Sequence, residues 1–99
     1  MQFALVEMAT EVKLGRTFLD SLVVDHAAGR NVIVETSMAK YWISEMADRT
    51  AGRCLDLCGA EAGLERCPAV RTWRDARVMS IFAGTNEIMK QIAAKFMGL

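Results

Sequence analysis

The sequence predicts an all-α fold, an antiparallel helical bundle of two long and two short helices in a single domain spanning 1–99. Three observations carry this. Apolar residues recur at three- and four-residue steps through two stretches of about 25 residues, the period of one helix face. The single proline, Pro68, and the glycines at 29, 59, 63 and 84 stand where that periodicity lapses. A hydrophobic share of 53% beside 24% charged residues excludes a disordered chain, which needs low apolar content and a large net charge.

Taken in order, Gln2 to about His26 forms the first helix, with Leu5, Met8, Val12, Leu19 and Leu22 on one face and Glu7, Glu11, Lys13 and Arg16 on the other. Gly29 suits the left-handed position just past its end. Val32 to Cys58 forms the second, with Val34, Met38, Tyr41, Trp42, Ala51, Leu55 and Cys58 on or near one stripe. Two such rods, about 36 Å each and joined by a short turn, must lie antiparallel. Between Gly59 and Pro68 the periodicity fails and an irregular loop is expected. Helix resumes at about Pro68, carries Val70, Trp73, Ala76, Arg77, Met79, Ile81 and Phe82, and stops at Ala83-Gly84. Thr85 is a good N-cap and Glu87 suits the positive end of a helix dipole, so a last helix runs from about Asn86 to Met97. Ile88, Ile92, Ala93 and Phe96 are expected to face inward, Lys90 and Lys95 outward.

Composition narrows the function. Twelve basic residues balance twelve acidic ones, so the field that draws proteins to nucleic acid or anionic membranes is missing. No apolar run is long enough for a membrane span. Glu7 and Glu11 interrupt the opening apolar stretch, which therefore does not read as a secretory signal. Three cysteines without framework spacing point to reduced thiols and a cytoplasmic setting. Seven methionines in a small apolar-rich chain point to faces that meet a partner, with a homo-oligomer as the expectation.

Candidate chemistry is sparse. Cys54 and Cys58 share a helix face and Cys67 follows in the loop, but there is no Cys-x-x-Cys pair and His26 is remote, so no metal site is expected. His26 reads as a helix-end residue, and Trp42 and Trp73 as packing anchors. Arg66, Arg71, Arg74 and Arg77 surround Trp73, a pattern open to an anionic ligand or to an ion-pair network with Glu65 and Asp75. The strongest local feature is Phe82-Ala83-Gly84-Thr85-Asn86-Glu87, a tight glycine turn leading into a helix whose unpaired N–H groups can receive a ligand oxygen.

Arg74-Asp75-Ala76-Arg77, followed at fixed distance by Ile81-Phe82-Ala83-Gly84-Thr85-Asn86-Glu87-Ile88-Met89, resembles the C-terminal signature of flavin-dependent acyl-CoA dehydrogenases. Met38-Ala39-Lys40-Tyr41-Trp42 and the stretch from Leu5 to Met8 are similar to that family too. The resemblance covers nearly the whole chain but only the last quarter of the family's subunit, from just after the first helix of its C-terminal helical domain. The expectation is a fragment, a truncated reading frame or one piece of a split enzyme, with the bundle's first helix absent and a symmetry mate or the N-terminal part of the enzyme in its place.

The resemblance implies an oxidoreductase acting on acyl-CoA thioesters of fatty or branched acids, with FAD as cofactor. It places Ala83 and Gly84 against the acyl thioester, the Ala83 N–H hydrogen-bonding its carbonyl. It places Thr85, Asn86 and Glu87 against the FAD of the same or a neighbouring subunit. A second FAD contact, a Gln-x-x-Gly-Gly segment in the family, reads here Asp56-Leu57-Cys58-Gly59-Ala60. Asp56 brings a negative charge toward the pyrophosphate and Ala60 limits backbone approach, which weakens the hold on FAD. Ala83 stands where many members carry the catalytic glutamate, and a methyl group cannot be a general base. The resemblance is therefore to the long-chain and isovaleryl-like branches, which keep a small residue there and bring the glutamate from a helix that this chain lacks. No catalytic residue is expected among the 99, and the chain alone is expected to be inactive. The alternative is a non-catalytic helical module that assembles with itself or with a full-length relative.

Overall fold

Four helices, α1 (Gln2–Ala27), α2 (Ile33–Cys58), α3 (Pro68–Met79) and α4 (Asn86–Met97), make up a computed structural model that describes residues 2–58, 68–79, 81 and 85–99. There is no strand among the described residues, and the all-α bundle is as expected. Gly29, at φ 79°, takes the left-handed conformation that ends α1, and the Gly29 N–H reaches the His26 carbonyl. The side chain of Asn31 accepts a hydrogen bond from the Ile33 N–H at 3.1 Å and so starts α2.

Partners ascend α1 as they descend α2, which makes the pair antiparallel. Glu7 meets Arg53 at 2.8 Å, Glu11 meets Arg49 at 3.2 Å, and Gly15 lies against Trp42 and Met46. Exposed ion pairs of this kind contribute little stability, so their main effect is on register. The seam of α1 runs through Ala4, Met8, Glu11, Gly15, Phe18, Leu22 and Asp25, alternating steps of four and three as in a coiled coil. This corrects the expected face. Met8 and Leu22 do lie on the seam, but Leu5, Val12 and Leu19 are 51%, 48% and 40% exposed, on the flank next to it. Glu11 and Asp25 can occupy seam positions because each is paired at the rim, with Arg49 and Arg30.

Each of the other helices packs on α2 rather than on another helix. One side of α2, at Trp42, Met46, Arg49 and Arg53, meets α1. A second, at Tyr41, Ser44 and Glu45, meets α4. A third, from Ala39 and Ile43 down to Ala51 and Cys54, faces Met79 and Thr72 of α3 across two open apolar grooves of about 340 and 330 Å3. Burial along α2 follows: Ser37, Ser44 and Ala51 recur every seven residues on one line, Ala39 and Met46 on the opposite one. The expected stripe of Val34, Met38, Tyr41, Trp42 and Leu55 is only half-buried.

α3 ends at Met79, short of the expected Ala83-Gly84. The Ile81 N–H bonds the Val78 carbonyl three residues back, so the chain tightens out of the α-helix there and leaves Ile81 exposed. α4 has the expected bounds. Thr85, extended at φ −69° and ψ 160°, accepts from the Ile88 N–H at 3.3 Å, and Gly98 closes the helix in the left-handed conformation. Its buried residues are Asn86 and Ala93, whereas Ile88 and Phe96, expected inside, are exposed.

Two stability measurements test these contacts. A Cβ at Gly15 would meet Met46 Cε at 3.0 Å and Trp42 Cζ3 at 3.3 Å. Gly15→Ala gains about 1 kcal/mol of helix propensity that offsets the crowding, since the Met46 methyl can swing away, and urea unfolding should place it within about 1 kcal/mol of the parent. Gly15→Leu forces the helices apart and should lose about 2 kcal/mol. Thr85→Ala removes the cap and should cost about 1 kcal/mol in the same assay, with Thr85→Ser close to the parent.

Candidate functional site

The start of α4 meets the middle of α2 in an open cleft of about 430 Å3 lined by Glu45, Asp48, Arg49, Ile81, Thr85, Asn86 and Glu87. Three of the expected site residues are therefore together. They face different ways. Thr85 and Glu87 are exposed on the cleft, whereas Asn86 is 4% exposed and turns its carboxamide onto α2. Its Nδ2 donates to Ser44 Oγ at 3.1 Å, to the Tyr41 carbonyl at 3.4 Å and toward Glu45 Oε1 at 3.4 Å. Its Oδ1 accepts from Lys40 Nζ at 3.1 Å and lies 3.3 Å from Ser44 Oγ, which also reaches the Tyr41 carbonyl at 3.2 Å. One hydroxyl hydrogen can serve only one of those two acceptors at a time. The Asn86 side chain is thus committed within the chain, and any ligand contact at this residue would come from its backbone.

Around the rim, Lys90 Nζ sits 5.0 Å from the Tyr41 ring centre and 3.9 Å from Glu45. Asp48 has one buried carboxylate oxygen without a hydrogen-bond partner. Among the described residues, Arg49 is the cation lining the cleft, and it is already paired with Glu11, against three carboxylates at 45, 48 and 87.

Asp56, by contrast, is exposed and lies eight residues beyond Asp48, about 12 Å along α2. It lines a second open pocket of about 540 Å3 with Asp48, Arg53 and Arg77. Leu57 is half-buried beside it. The Cys58 side chain, Gly59, Ala60, Ala83 and Gly84 lie outside the described residues, as do Arg66, Cys67 and the Trp73 side chain. Cys54 Sγ is 3.9 Å from Met8 Sδ, a packing contact between α1 and α2. Among the described residues no group of His, Cys, Asp or Glu is arranged to hold a metal, and no helix is long and apolar enough to cross a membrane.

The chemistry of the cleft can be set against FAD. The N–H groups of Asn86 and Glu87 belong to the first turn, which has no intrahelical acceptor, and they suit carbonyl or hydroxyl oxygens. Exposed Thr85 adds a hydroxyl. Glu45, Asp48 and Glu87 outnumber Arg49 and the rim Lys90, and both cations are already paired, with Glu11 and Glu45, which disfavours a diphosphate here. The start of α4 therefore fits the neutral ring and sugar-alcohol part of the cofactor. Lys40, Ser44 and Glu45 were not among the expected site residues. They stand among Thr36, Ser37, Asp48 and Arg49 on a helix with many polar residues, so no local signal sets them apart.

Known proteins resemble the chain over nearly its whole length. The family described as "Acyl-CoA dehydrogenase, C-terminal domain" matches residues 1–98. The long-chain specific acyl-CoA dehydrogenase of Rattus norvegicus mitochondria is 38% identical over 95 residues, which are 96% of this chain and 22% of that protein. The crystal structure of acyl-CoA dehydrogenase from Geobacillus kaustophilus superposes with a TM-score of 0.95 at 48% identity, over 99% of this chain and 26% of that one. A structure described as the FAD complex of PigA gives 0.92 at 26% identity, over 99% and 26%. The chain thus spans about a quarter of the length of its relatives. With the family's description matching almost end to end and the helices superposing on a 48% identical relative, the chain belongs to the acyl-CoA dehydrogenase family, in its C-terminal domain.

Proposed function

We propose that these 99 residues serve a flavin-dependent acyl-CoA dehydrogenase, as the helical part against which FAD and the acyl thioester are held for α,β-dehydrogenation. One observation carries the reading: Thr85 caps α4 on an open cleft, with Glu87 beside it, inside a chain that matches the family throughout. FAD supplies the two-electron acceptor. Thr85 and the first-turn N–H groups orient its neutral part. By the family motif, the Ala83 N–H polarises the thioester carbonyl and makes the α-proton easier to remove. The base that removes it is not at position 83, where there is only a methyl group, and comes from outside these residues. The Rattus norvegicus relative is mitochondrial, which favours the mitochondrial matrix over the expected cytoplasm.

The surface supports a partner. The chain exposes 6995 Å2, whereas a compact monomer of 10.9 kDa exposes about 5,600 Å2. Leu5, Val12, Leu19 and Val23 form an exposed stripe on α1, and Val6 and Val24 lie on its far side. We read these faces as contacts to the rest of the enzyme and to further copies. A pure assembly module would show the same faces, so the two readings part on flavin.

The test is coexpression with a polypeptide matching the part of the Geobacillus kaustophilus enzyme outside the superposed region. A yellow complex that reduces an electron acceptor only with acyl-CoA is the expected result, with neither piece active alone. A colourless complex that stays inactive with added FAD would leave the assembly module as the function. In the flavin complex, Asp56→Gln removes a charge worth about 1 kcal/mol at contact distance in water, and should tighten FAD by about five-fold in a fluorescence titration.

A further inference from the structure

We propose that Lys40 and Ser44 are positioning residues for the start of α4, acting through the buried carboxamide of Asn86; the catalytic consequence rests on the function proposed above. Among the described residues, fully buried apolar side chains do not hold this end of the helix. Ile81, Thr85, Glu87 and Ile88 are exposed, Met89 is half-buried, and the nearest fully buried apolar side chain on α4 is Ala93, about 10 Å beyond Asn86. Asn86 is the buried residue of the first turn, and its polar contacts to α2 set where that turn sits.

Those contacts also have a direction. Lys40 offers only donors to Oδ1 and the Tyr41 carbonyl only an acceptor to Nδ2. Turning the carboxamide over would set NH2 against the ammonium and carbonyl against carbonyl, so the amide has one satisfactory orientation. Ser44 Oγ lies between the two ends and bonds the amide on both sides. An apolar anchor would fix the distance between α4 and α2. This one also fixes the rotation of α4 about its own axis, because Asn86 can point at Lys40, Tyr41 and Ser44 together in only one setting. Thr85 and the N–H groups of Asn86 and Glu87 are carried round with it. Lys90 reaches Tyr41 and the same Glu45 oxygen that the amide approaches, so it belongs to this contact. Lys95, exposed near the far end of α4 with Nζ 5.9 Å from the Phe96 ring centre, serves as the control.

The test compares Lys40→Met, Ser44→Ala and Lys95→Met in the coexpressed complex, by site-resolved amide exchange and by steady-state kinetics. Lys40→Met is the variant to rely on if Ser44→Ala, at a more deeply buried position, fails to fold. Expected are at least ten-fold faster exchange at Ile88 and Met89 with α1 amides unchanged, kcat lowered about ten-fold, and KM and flavin content within two-fold. Lys95→Met should match the parent. Exchange that stays the same at Ile88 and Met89, or that rises equally in every helix, would overturn the positioning role. A local rise that leaves kcat untouched would overturn the catalytic consequence. If the unsubstituted complex never turns over acyl-CoA, the proposed function and the catalytic consequence fall together, and the exchange arm still decides whether Lys40 and Ser44 place the helix.

Discussion

Among the described residues, α1, α3 and α4 each pack on α2 and not on one another. That constraint explains the character of α2 more fully than amphipathicity does. A helix with one neighbour needs one apolar stripe, whereas a helix with three needs surfaces that suit each. Where α1 approaches, Gly15 faces Trp42 and Met46, so the absent side chain on one helix makes room for large ones on the other. Where α4 approaches, the surface is small and polar at Ser37 and Ser44, which lets the helices come close enough for Asn86 to bond backbone and side chains of α2. Where α3 approaches, the surface is apolar but the contact is partial, and grooves remain between α1 and α3.

The polar contact is worth comparing with an apolar one of the same size. Hydrogen bonds exchanged with water contribute about 1 kcal/mol net, so Asn86 adds no more to folding than a buried Val or Leu would. What it adds is exclusion of alternatives. Lys40 and the Tyr41 carbonyl sit in a half-buried place where losing a partner costs more than making the bond gained, about 1–3 kcal/mol for a buried group. A rotated or shifted α4 strands the buried carboxamide of Asn86, whose donors and acceptor all find their partners on α2. An interaction of modest net strength can select one helix setting because its failure is expensive in every other setting.

The elements were legible in the sequence because their ends are local chemistry. Gly29 and Thr85 mark backbone conformations that neighbours in the chain determine, and α4 begins where its cap says. The faces were less legible. Leu5, Val12 and Leu19 follow a helical period as regular as the true seam, and period alone cannot say which of two adjacent stripes meets a partner inside the chain. The end of α3 was missed because Ile81 and Phe82 extend an apolar pattern past the point where the Ile81 N–H turns back to Val78. At the site, the motif identified Thr85 to Glu87 but not their division of labour. Residues 41–45 adjoin Asn86 only after the chain has folded back over some forty positions, and nothing local to Lys40 or Ser44 announces that they will share an amide.

The two stripes on α1 differ in what they are for. The seam, with Gly15 and two acidic residues, buries little apolar area for its length and holds α1 to α2 through close approach and rim pairs. The neighbouring stripe is richer in large aliphatic side chains and yet stands in water. Fully burying a Val or Leu is worth about 1.5–3 kcal/mol, and Leu5, Val12, Leu19 and Val23 are each about half exposed, so covering them would be worth about 3–6 kcal/mol before entropy is charged against it, a large share of the stability of a small domain. Two of the stripe's residues, Leu19 and Val12, line the open grooves toward α2 and α3, so the stripe borders a gap that the described helices leave unfilled. The register of α1 on α2 is set by the seam and its rim pairs, and the stripe is left as apolar surface beside it.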